Sequence, residues 1–313
     1  MLSILTVTAP IYLIMLGGYV AVRCGLFAAA DMRVMGRLVI YFCLPALLFR
    51  TLAQQALADI VNGAYIAAYA AGSLVTLGAL TWFARRALRR PLPLAALFGL
   101  GAASSNSGFV GYPIAMQLLG APAGVALALT MLVENLLVIP LALVIADSRK
   151  GTVGKVLQDS ARSLVRNPLV LAIVAGFAFA MLGWRLPDPV ARTLQIVATG
   201  STPLALFVVG GSLVGLQLSA QRQDIARVVA AKLLLHPLAV FGILALLPPL
   251  DADLRTAAVL FAAMPMLSIY PVLAQRYGQE RFCAAVLLAT TTTSFATITA
   301  LLWAMRTFLG WHV

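Results

Sequence analysis

Long apolar stretches constrain the fold of this sequence more than any other feature. A helix of about 20 apolar residues can cross the hydrocarbon core of a bilayer, which is roughly 30 Å thick. The chain offers ten such windows, separated by short segments that hold most of its charge. We therefore predict an all-α membrane protein with ten transmembrane helices, called spans 1 to 10. The windows are 3–22, 35–53, 61–84, 94–119, 122–146, 168–184, 192–217, 229–250, 256–275 and 281–305.

The composition argues against a soluble protein with an unusually apolar core. Only 10% of the 313 residues are charged, whereas a soluble domain usually carries about a quarter. Such a chain has too few charged side chains to cover a surface that faces water. The net charge of +12 would suggest nucleic acid in a soluble protein. Here the charges lie between apolar windows, so we expect membrane lipid and no nucleic acid as a partner.

The sequence lacks the motifs of an enzyme or a metal site. It has no HExxH, GxSxG, P-loop or paired carboxylate, and His236 and His312 are too few for the usual zinc site. Cys24, Cys43 and Cys283 have no CxxC spacing, so neither a disulfide framework nor a thiolate site is indicated. We therefore expect no catalytic residue, no metal and no cofactor. The N-terminus has no cleavage site and is predicted to be span 1 rather than a signal peptide.

The basic residues predict how the spans are oriented. Of the 22 Lys and Arg residues, 17 lie nearest to the odd-numbered connections, and Lys232 is counted among them. Basic connections remain in the cytoplasm. The bias predicts a multi-pass protein of the bacterial inner membrane with both termini in the periplasm, and it requires an even number of spans. The longest polar connection, about 147–167, is on the cytoplasmic side. The five remaining basic residues are Arg50, Arg185, Arg192, Arg255 and Arg306.

An internal repeat relates the two halves of the chain at a constant offset of 158 residues. We predict two five-helix repeats, 1–157 and 158–313. Because five is odd, the second repeat enters the membrane from the opposite side. Inverted repeats recur in secondary transporters, where the substrate site lies near the midplane between them. The matching positions are Pro10 and Pro168, Gly18 and Gly176, 45–49 and 203–207, 112–113 and 270–271, Gln117 and Gln275, and Gly120 and Gly278.

Two spans contain residues that disfavour a continuous helix. Residues 104–113 of span 4 read SSNSGFVGYP, and residues 265–271 of span 9 read PMLSIYP. Proline removes an amide donor, and glycine and serine weaken a helix further. Lipid cannot satisfy the freed backbone groups, so such stretches face protein or a water-filled cavity. We predict two broken helices that cross near the midplane. Ordinary proline kinks are the alternative.

Broken helices predict a binding site for an anion. Half-helix N-termini carry free N–H groups and partial positive charge. No Lys or Arg is expected deep in any window, so the backbone, Asn106 and nearby hydroxyl groups would bind a small organic anion. Binding to the unwound backbone is an equal alternative for the two glutamines. The predicted substrate-binding residues are Asn106, Ser107, Gly108, Pro113, Gln117, Ser268, Tyr270, Pro271 and Gln275.

Glu134 is the acidic residue that lies deep in an apolar window, near the middle of span 5. An intramembrane carboxylate is costly and is a functional-site hypothesis by default. We interpret it as a coupling site for a proton or a cation, with a structural role at the broken helix as the alternative. Thr130, one turn earlier, would complete an oxygen site with Ser105 and Asn106. Sodium needs these oxygens and a proton needs only Glu134, so the sequence leaves the ion open.

The motif NSGFVGYP at residues 106–113 resembles the NxGFxGxP segment of the auxin efflux carrier family, and CLPALLF at 43–49 is similar to its second helix. That family includes plant auxin carriers and bacterial carriers proposed for malonate and other organic acids. The resemblance implies a fold like that of the bile acid sodium symporters. Spans 1, 2, 6 and 7 would form a scaffold and dimer interface, and spans 3–5 and 8–10 a moving core. The long cytoplasmic loop of many plant members is absent, so auxin itself is not implied.

Other functions fit less well. A channel would use similar polar residues, but inverted broken helices favour alternating access. A membrane sensor is disfavoured because no soluble signalling domain is attached, and a sodium-coupled bile-acid-type symporter is the strongest rival. Arg50 lies near the outer end of span 2, where extension of the side chain to the interface is favoured over attraction of substrate. His236 is expected at the cytoplasmic interface.

Overall fold

The computed structural model describes residues 2–55, 62–148, 153–215 and 221–308, and within these ranges it contains helices and no strand. The prediction of an all-α membrane protein is confirmed at this level. Among the described residues, six helices (α2, α3, α6, α9, α10 and α13) are long and apolar enough to cross a membrane. The helices are α1 (Leu2–Arg23), α2 (Ala29–Ala53), α3 (Gly63–Arg86), α4 (Leu92–Ala103), α5 (Tyr112–Leu119), α6 (Pro122–Asp147), α7 (Val153–Val165), α8 (Pro168–Met181), α9 (Asp188–Ser212), α10 (Arg222–Leu244), α11 (Ala252–Ala263), α12 (Tyr270–Gln275) and α13 (Glu280–Phe308).

The structure has both interruptions that the proline motifs predict. Helix α4 ends at Ala103, Ser104 is extended (φ −116°, ψ 146°), and the chain becomes helical again from Ser107. Helix α11 ends at Ala263, Met264 is extended (φ −64°, ψ 155°), and α12 begins at Tyr270. These two short irregular segments, residues 104–106 (the first interruption) and residues 264–269 (the second interruption), leave backbone groups that helices cannot pair.

Within the described part of the chain, a π turn precedes a proline at four places, which was not predicted from the sequence. The proline ring clashes with the carbonyl group four residues earlier and lacks an N–H, and the wider π turn accommodates both defects. One π turn, Ser107–Gly111, leads from the first interruption into α5. Another, Glu134–Val138, begins at the predicted coupling residue. The four prolines are Pro45, Pro113, Pro140 and Pro237.

Two glycines allow close packing between helices that the sequence repeat relates. Helix α1 packs against the second half of α9, and α8 packs against the second half of α2. A Cβ atom on Gly18 would overlap the carbonyl oxygen of Phe207, and one on Gly176 would lie 3.0 Å from that of Phe49. Both the glycines and the carbonyl groups are separated by 158 residues. The same contact is therefore made once in each half of the chain.

The polar residues around the two interruptions lie inside a layer of tightly packed helices. Helix α3 packs against α4 and against the second half of α10, and α4 also packs against the second half of α6. Tyr65 and Tyr69 of α3, Phe98 of α4 and Phe261 of α11 are fully buried in this layer. Because large aromatic side chains fill the space between these helices, polar groups in the layer depend on one another for hydrogen bonds.

The predicted polar connection at 147–167 contains a helix, α7. Its apolar and polar residues alternate with a helical period, so low average hydropathy did not reveal it. The connection ends at Asn167, whose side chain accepts a hydrogen bond from the amide of Leu169 and caps α8. Arg149, Lys150, His312 and the last residues of both termini lie outside the described residues, as do residues 61 and 216–217 of spans 3 and 7.

Candidate substrate and ion site

Asn106 joins the two helix interruptions. Its backbone N–H donates a 2.7 Å hydrogen bond to the carbonyl oxygen of Pro265, and its side-chain Nδ2 donates to Ser268 Oγ at 2.8 Å. Asn106 is buried. The backbone groups freed in one helix are thus partly satisfied by the other, and lipid could not have satisfied them. The polar faces of the two interruptions meet at this residue.

Glu134 holds the first interruption from the side of α6. Its Oε1 accepts hydrogen bonds from the backbone N–H of Ser105 at 2.8 Å and from the hydroxyl of Tyr69 at 3.0 Å. Its Oε2 accepts one from Ser107 Oγ at 3.2 Å. The carboxylate is buried and receives three donors, which compensates for its lost hydration. These bonds give Glu134 a structural role at the broken helix. The same position is compatible with a role in coupling transport to an ion.

A buried lysine faces the same interruption from α10. Lys232 is fully buried, and its Nζ donates to Ser105 Oγ at 2.7 Å and to the carbonyl oxygen of Ala262 at 2.9 Å. The third neighbour is His236 Nδ1 at 2.8 Å, whose Nε2 contacts Ser73 Oγ at 2.9 Å. An ammonium group has three N–H donors and no acceptor, so these three neighbours satisfy it completely.

Lys232 and His236 correct three expectations from the sequence. Lys232 does not belong to a cytoplasmic connection, and the expectation that no Lys or Arg lies deep in a window is wrong. His236 is fully buried rather than interfacial. The reason is that α10 begins at Arg222 rather than at residue 229, so Lys232 lies inside the helix. The spacing of Lys232 and His236, four residues apart in an apolar run, was a signal that they share a helix face.

A chain of hydrogen bonds, each donated in the same direction, connects the ammonium group of Lys232 to the carboxylate of Glu134. The Tyr69 hydroxyl has one hydrogen, which it donates to Glu134, so it accepts from Ser105 Oγ at 3.2 Å. The Ser105 hydroxyl has then used its hydrogen and accepts from Lys232. A chain of hydrogen bonds therefore runs from the buried cation through Ser105 and Tyr69 to the buried anion, and both charges hold the same broken helix.

A cavity of about 470 Å³ lies beside the interruptions. Its polar lining residues include Ser107, Ser268, Asn106 and Glu134. Arg166, an exposed residue at the junction of α7 and α8, also borders the cavity. Its apolar lining comes from Ile40, Tyr41, Leu44, Phe109, Met131, Ile139, Leu169, Leu267 and Ile269. The cavity offers hydrogen-bond donors beside an apolar wall, which suits a small molecule with a polar head and a carbon skeleton.

Some predicted residues contribute to this cavity through packing. Gly108 lines it, and a Cβ atom there would lie 2.9 Å from Met131 Cε and 3.0 Å from Leu44 Cδ1. Pro113 and Pro271 do not line it: Pro113 is buried as the second residue of α5, and Pro271 is partly buried as the second residue of α12. These residues shape the interruptions, whereas the polar contacts come from their neighbours.

Other predicted residues lie away from the cavity. Tyr270 is fully buried and donates a 2.8 Å hydrogen bond to the carbonyl oxygen of Leu97, which fastens α12 to α4. Thr130 Oγ1 pairs with the hydroxyl of Tyr65 at 2.7 Å. Gln117 and Gln275 are exposed near the ends of α5 and α12, and Arg50 is partly buried in α2. None of these predicted residues lines the described cavity.

Comparison with known proteins agrees with the geometry. Residues 3–304 match the family described as "Membrane transport protein". The chain is 30% identical over 312 residues to the "Putative malonate transporter" of Rhizobium meliloti (strain 1021), covering 98% of this chain and 97% of that protein. It is 25% identical over 303 residues to the "Uncharacterized transporter YfdV" of Escherichia coli (strain K12), covering 94% of each. The match spans nearly the whole chain and these relatives are named as transporters rather than enzymes, so this chain belongs to the membrane transport protein family, that of the auxin efflux carriers.

Proposed function

We propose that this transporter is a secondary carrier that moves a small organic anion across the bacterial inner membrane by elevator-type alternating access. The observation that carries the proposal is the meeting of two interrupted helices at Asn106, beside a cavity of about 470 Å³. Interrupted helices that meet are typical of the substrate sites of secondary carriers. The uptake of labelled organic acids by proteoliposomes tests it.

The charges around the cavity favour an anion over a cation. Glu134 is the acidic group in the cavity wall, and its oxygens already accept three hydrogen bonds. The buried ammonium of Lys232 offsets its charge through Ser105. Arg166 then remains as an additional cationic group at the cavity. A carboxylate gains from amide, hydroxyl and guanidinium donors together, because hydrogen bonds to a charged acceptor are stronger than those to a neutral one.

The proposed substrate class is a mono- or dicarboxylate, with malonate as the first compound to test. One relative is named as a malonate transporter. In this chain, one carboxylate would bind at Asn106, Ser107 and Ser268, and a second would lie toward Arg166. The apolar wall would pack against the carbon atoms. This arrangement predicts that a dicarboxylate binds more tightly than a monocarboxylate of the same length.

The proposed mechanism uses two inverted repeats, 1–157 and 158–313. Their support is the paired packing of Gly18 on Phe207 and Gly176 on Phe49, which repeats one contact at the offset of the sequence repeat. In this proposal α1, α2, α8 and α9 form the scaffold and a homodimer interface, and α3–α6 and α10–α13 form the moving core. The ten spans then place both termini in the periplasm.

Coupling is proposed at Glu134 and at the first interruption, with a proton or a sodium ion as the two candidates. Ser105 and Asn106 belong to the interruption itself, and Ser105 touches the carboxylate directly. Thr130 supports the group one step away, because its partner Tyr65 stacks on Tyr69 with ring centroids 6.2 Å apart. The carboxylate thus lies where a change in its charge would alter the geometry of the broken helix.

The decisive experiment compares substrates and variants in the same proteoliposomes. Labelled malonate, a longer dicarboxylate, a monocarboxylate, a neutral amide and an organic cation are offered to the purified protein. Saturable uptake of the acids, inhibited by one another, supports the proposal. Transport restricted to a cationic or neutral compound would refute it.

A further inference from the structure

Lys232 is a charged residue that does not line the described cavity. It comes from α10 and lies in the packed layer between that helix, α4 and α11, where it is fully buried. A buried ammonium requires polar partners on every N–H, and removing its compensation is strongly destabilising. The oxygens of Ser105 and Ala262 and the imidazole nitrogen of His236 provide them at 2.7–2.9 Å. These three groups therefore form a complete cation site, and the ammonium group of Lys232 occupies it.

This filled site overlaps the place where a dissolved coupling cation would be expected. Ser105 is the common member: its amide N–H binds Glu134 and its hydroxyl binds Lys232. A hydroxyl group and a backbone carbonyl are also suitable ligands for a small alkali cation. A second cation at the same oxygens would meet the ammonium at short range, where repulsion in a protein interior is strong.

We propose that Lys232 is a tethered cation, which occupies the ion site beside the first interruption and makes dissolved sodium unnecessary for transport. The inference rests on the proposed function and names its coupling: Lys232 supplies the positive charge that compensates Glu134, and sodium has no role. Covalent attachment holds the ammonium in place without the entropy cost of capturing a free ion. The carrier therefore keeps its broken helix assembled at any sodium concentration.

The wild-type protein gives the first test. Uptake of labelled malonate and the Tm of the purified protein are measured in sodium chloride and in choline chloride at equal concentration. We expect no difference in either quantity, because choline is too large to enter the site and sodium finds it filled. A Tm or an uptake rate that rises with sodium would overturn the inference. A protein that carries no organic acid in either salt would instead refute the proposed function.

Two substitutions of Lys232 test whether its covalently attached ammonium group serves as the cation of this site. Lys232→Ala removes the charge and leaves space, so we expect a lower Tm that methylammonium chloride raises more than choline chloride does. Lys232→Met fills much of the space with an uncharged chain, so methylammonium should raise its Tm no more than choline does. Lys155→Ala, on α7, is the control for loss of a lysine elsewhere. An equal response of the alanine and methionine variants to methylammonium would overturn the inference.

The inference can still be tested if the Lys232→Ala variant fails to fold. If Lys232→Ala cannot be purified, the sodium comparison on the wild-type protein decides alone. Malonate uptake by any purified Lys232→Ala protein provides the second readout. We expect methylammonium to restore part of the lost uptake, and sodium to restore some of it by binding the vacated oxygens. Unimpaired uptake without any small cation would show that the ammonium is dispensable and would overturn the inference.

Discussion

The backbone amide of Asn106 donates a 2.7 Å hydrogen bond to the carbonyl oxygen of Pro265, which lies 159 residues later in the chain. Neither group has a helical partner, because each belongs to a segment where its helix is interrupted. The bond leaves the side chain of Asn106 free to contact Ser268 at the edge of the cavity. The two interruptions thus stabilise each other through main-chain atoms and present side-chain donors to the cavity.

Asn106→Ala should weaken binding of a carboxylate by about 1–3 kcal/mol, the usual cost of leaving a buried partner unsatisfied. The backbone bond to Pro265 is retained, so we expect the protein to fold. Thermal-shift titration with malonate measures the affinity. Ser268→Ala and the double variant complete a thermodynamic cycle, in which a non-additive result reports the coupling between the two side chains. Thr193→Ala, an exposed position whose hydroxyl bonds within its own helix, is the control. Unchanged malonate affinity in Asn106→Ala would remove this residue from the binding site.

Glu134→Gln should abolish accumulation of substrate against a gradient. The amide keeps the shape of the side chain but cannot change its charge, whereas the carboxylate of the wild type can. Exchange of labelled for unlabelled substrate without a gradient should survive, because it needs no net coupling. Uptake and exchange in the same proteoliposomes separate the two effects. A variant that still concentrates substrate like the wild type would leave Glu134 with a purely structural role.

Arg166→Gln should reduce the preference for dicarboxylates over monocarboxylates. Arg166 borders the cavity from the junction of α7 and α8, and in the proposed binding mode it meets the second carboxylate of the substrate. We expect the KM for malonate to rise about 10- to 150-fold, which corresponds to roughly 1.5–3 kcal/mol for a hydrogen bond to a charged group. The KM for a monocarboxylate should change little. Arg162→Gln, an exposed residue of α7 outside the cavity wall, is the matched control. Equal effects of Arg166→Gln on both substrate classes would argue against this role.

The sequence allowed the interruptions and Glu134 to be predicted because each depends on local chemistry. Proline and glycine disfavour a helix wherever they occur, and a carboxylate is conspicuous in an apolar window. Lys232 was missed because a basic residue near the end of a window is assigned to the adjoining connection, and only tertiary packing shows that α10 begins at Arg222. The exposure of Gln117 was missed for a related reason. Its distance from Pro113 fixes its height along α5 but does not determine which face of the helix turns toward the cavity.

Both termini should face the periplasm, as the distribution of basic residues predicts. Alkaline phosphatase fused to the C-terminus is active only in the periplasm, and a fluorescent protein that matures only in the cytoplasm reports the opposite location. We expect an active phosphatase and a dark fluorescent fusion. The reverse pattern, with the connection at 147–167 in the cytoplasm, would require an even number of spans in the second half and would refute the inverted-repeat proposal. Fusions after the connection at 147–167 provide the control, because this basic segment is expected in the cytoplasm.

Gly18→Ala should destabilise the protein, whereas Gly17→Ala should not. A Cβ atom on Gly18 would overlap the carbonyl oxygen of Phe207, while a Cβ atom on Gly17 would meet nothing within 4 Å apart from the adjacent backbone of its own helix. Since the obstacle is backbone, the helices α1 and α9 must move apart, and overpacking of this kind typically costs about 1–3 kcal/mol. Gly176→Ala should act in the same direction but less, because its Cβ would lie 3.0 Å from the carbonyl oxygen of Phe49.

The Tm in detergent and the yield of folded protein measure these effects. If α1, α2, α8 and α9 form one scaffold, the Gly18 and Gly176 variants should lower the Tm of the whole protein in a single transition. Their binding affinity for malonate, measured below that Tm, should remain close to that of the wild type because neither glycine lines the cavity. A Gly18→Ala protein as stable as Gly17→Ala would mean that the two helices do not pack as described, and the structural support for the repeat would be lost.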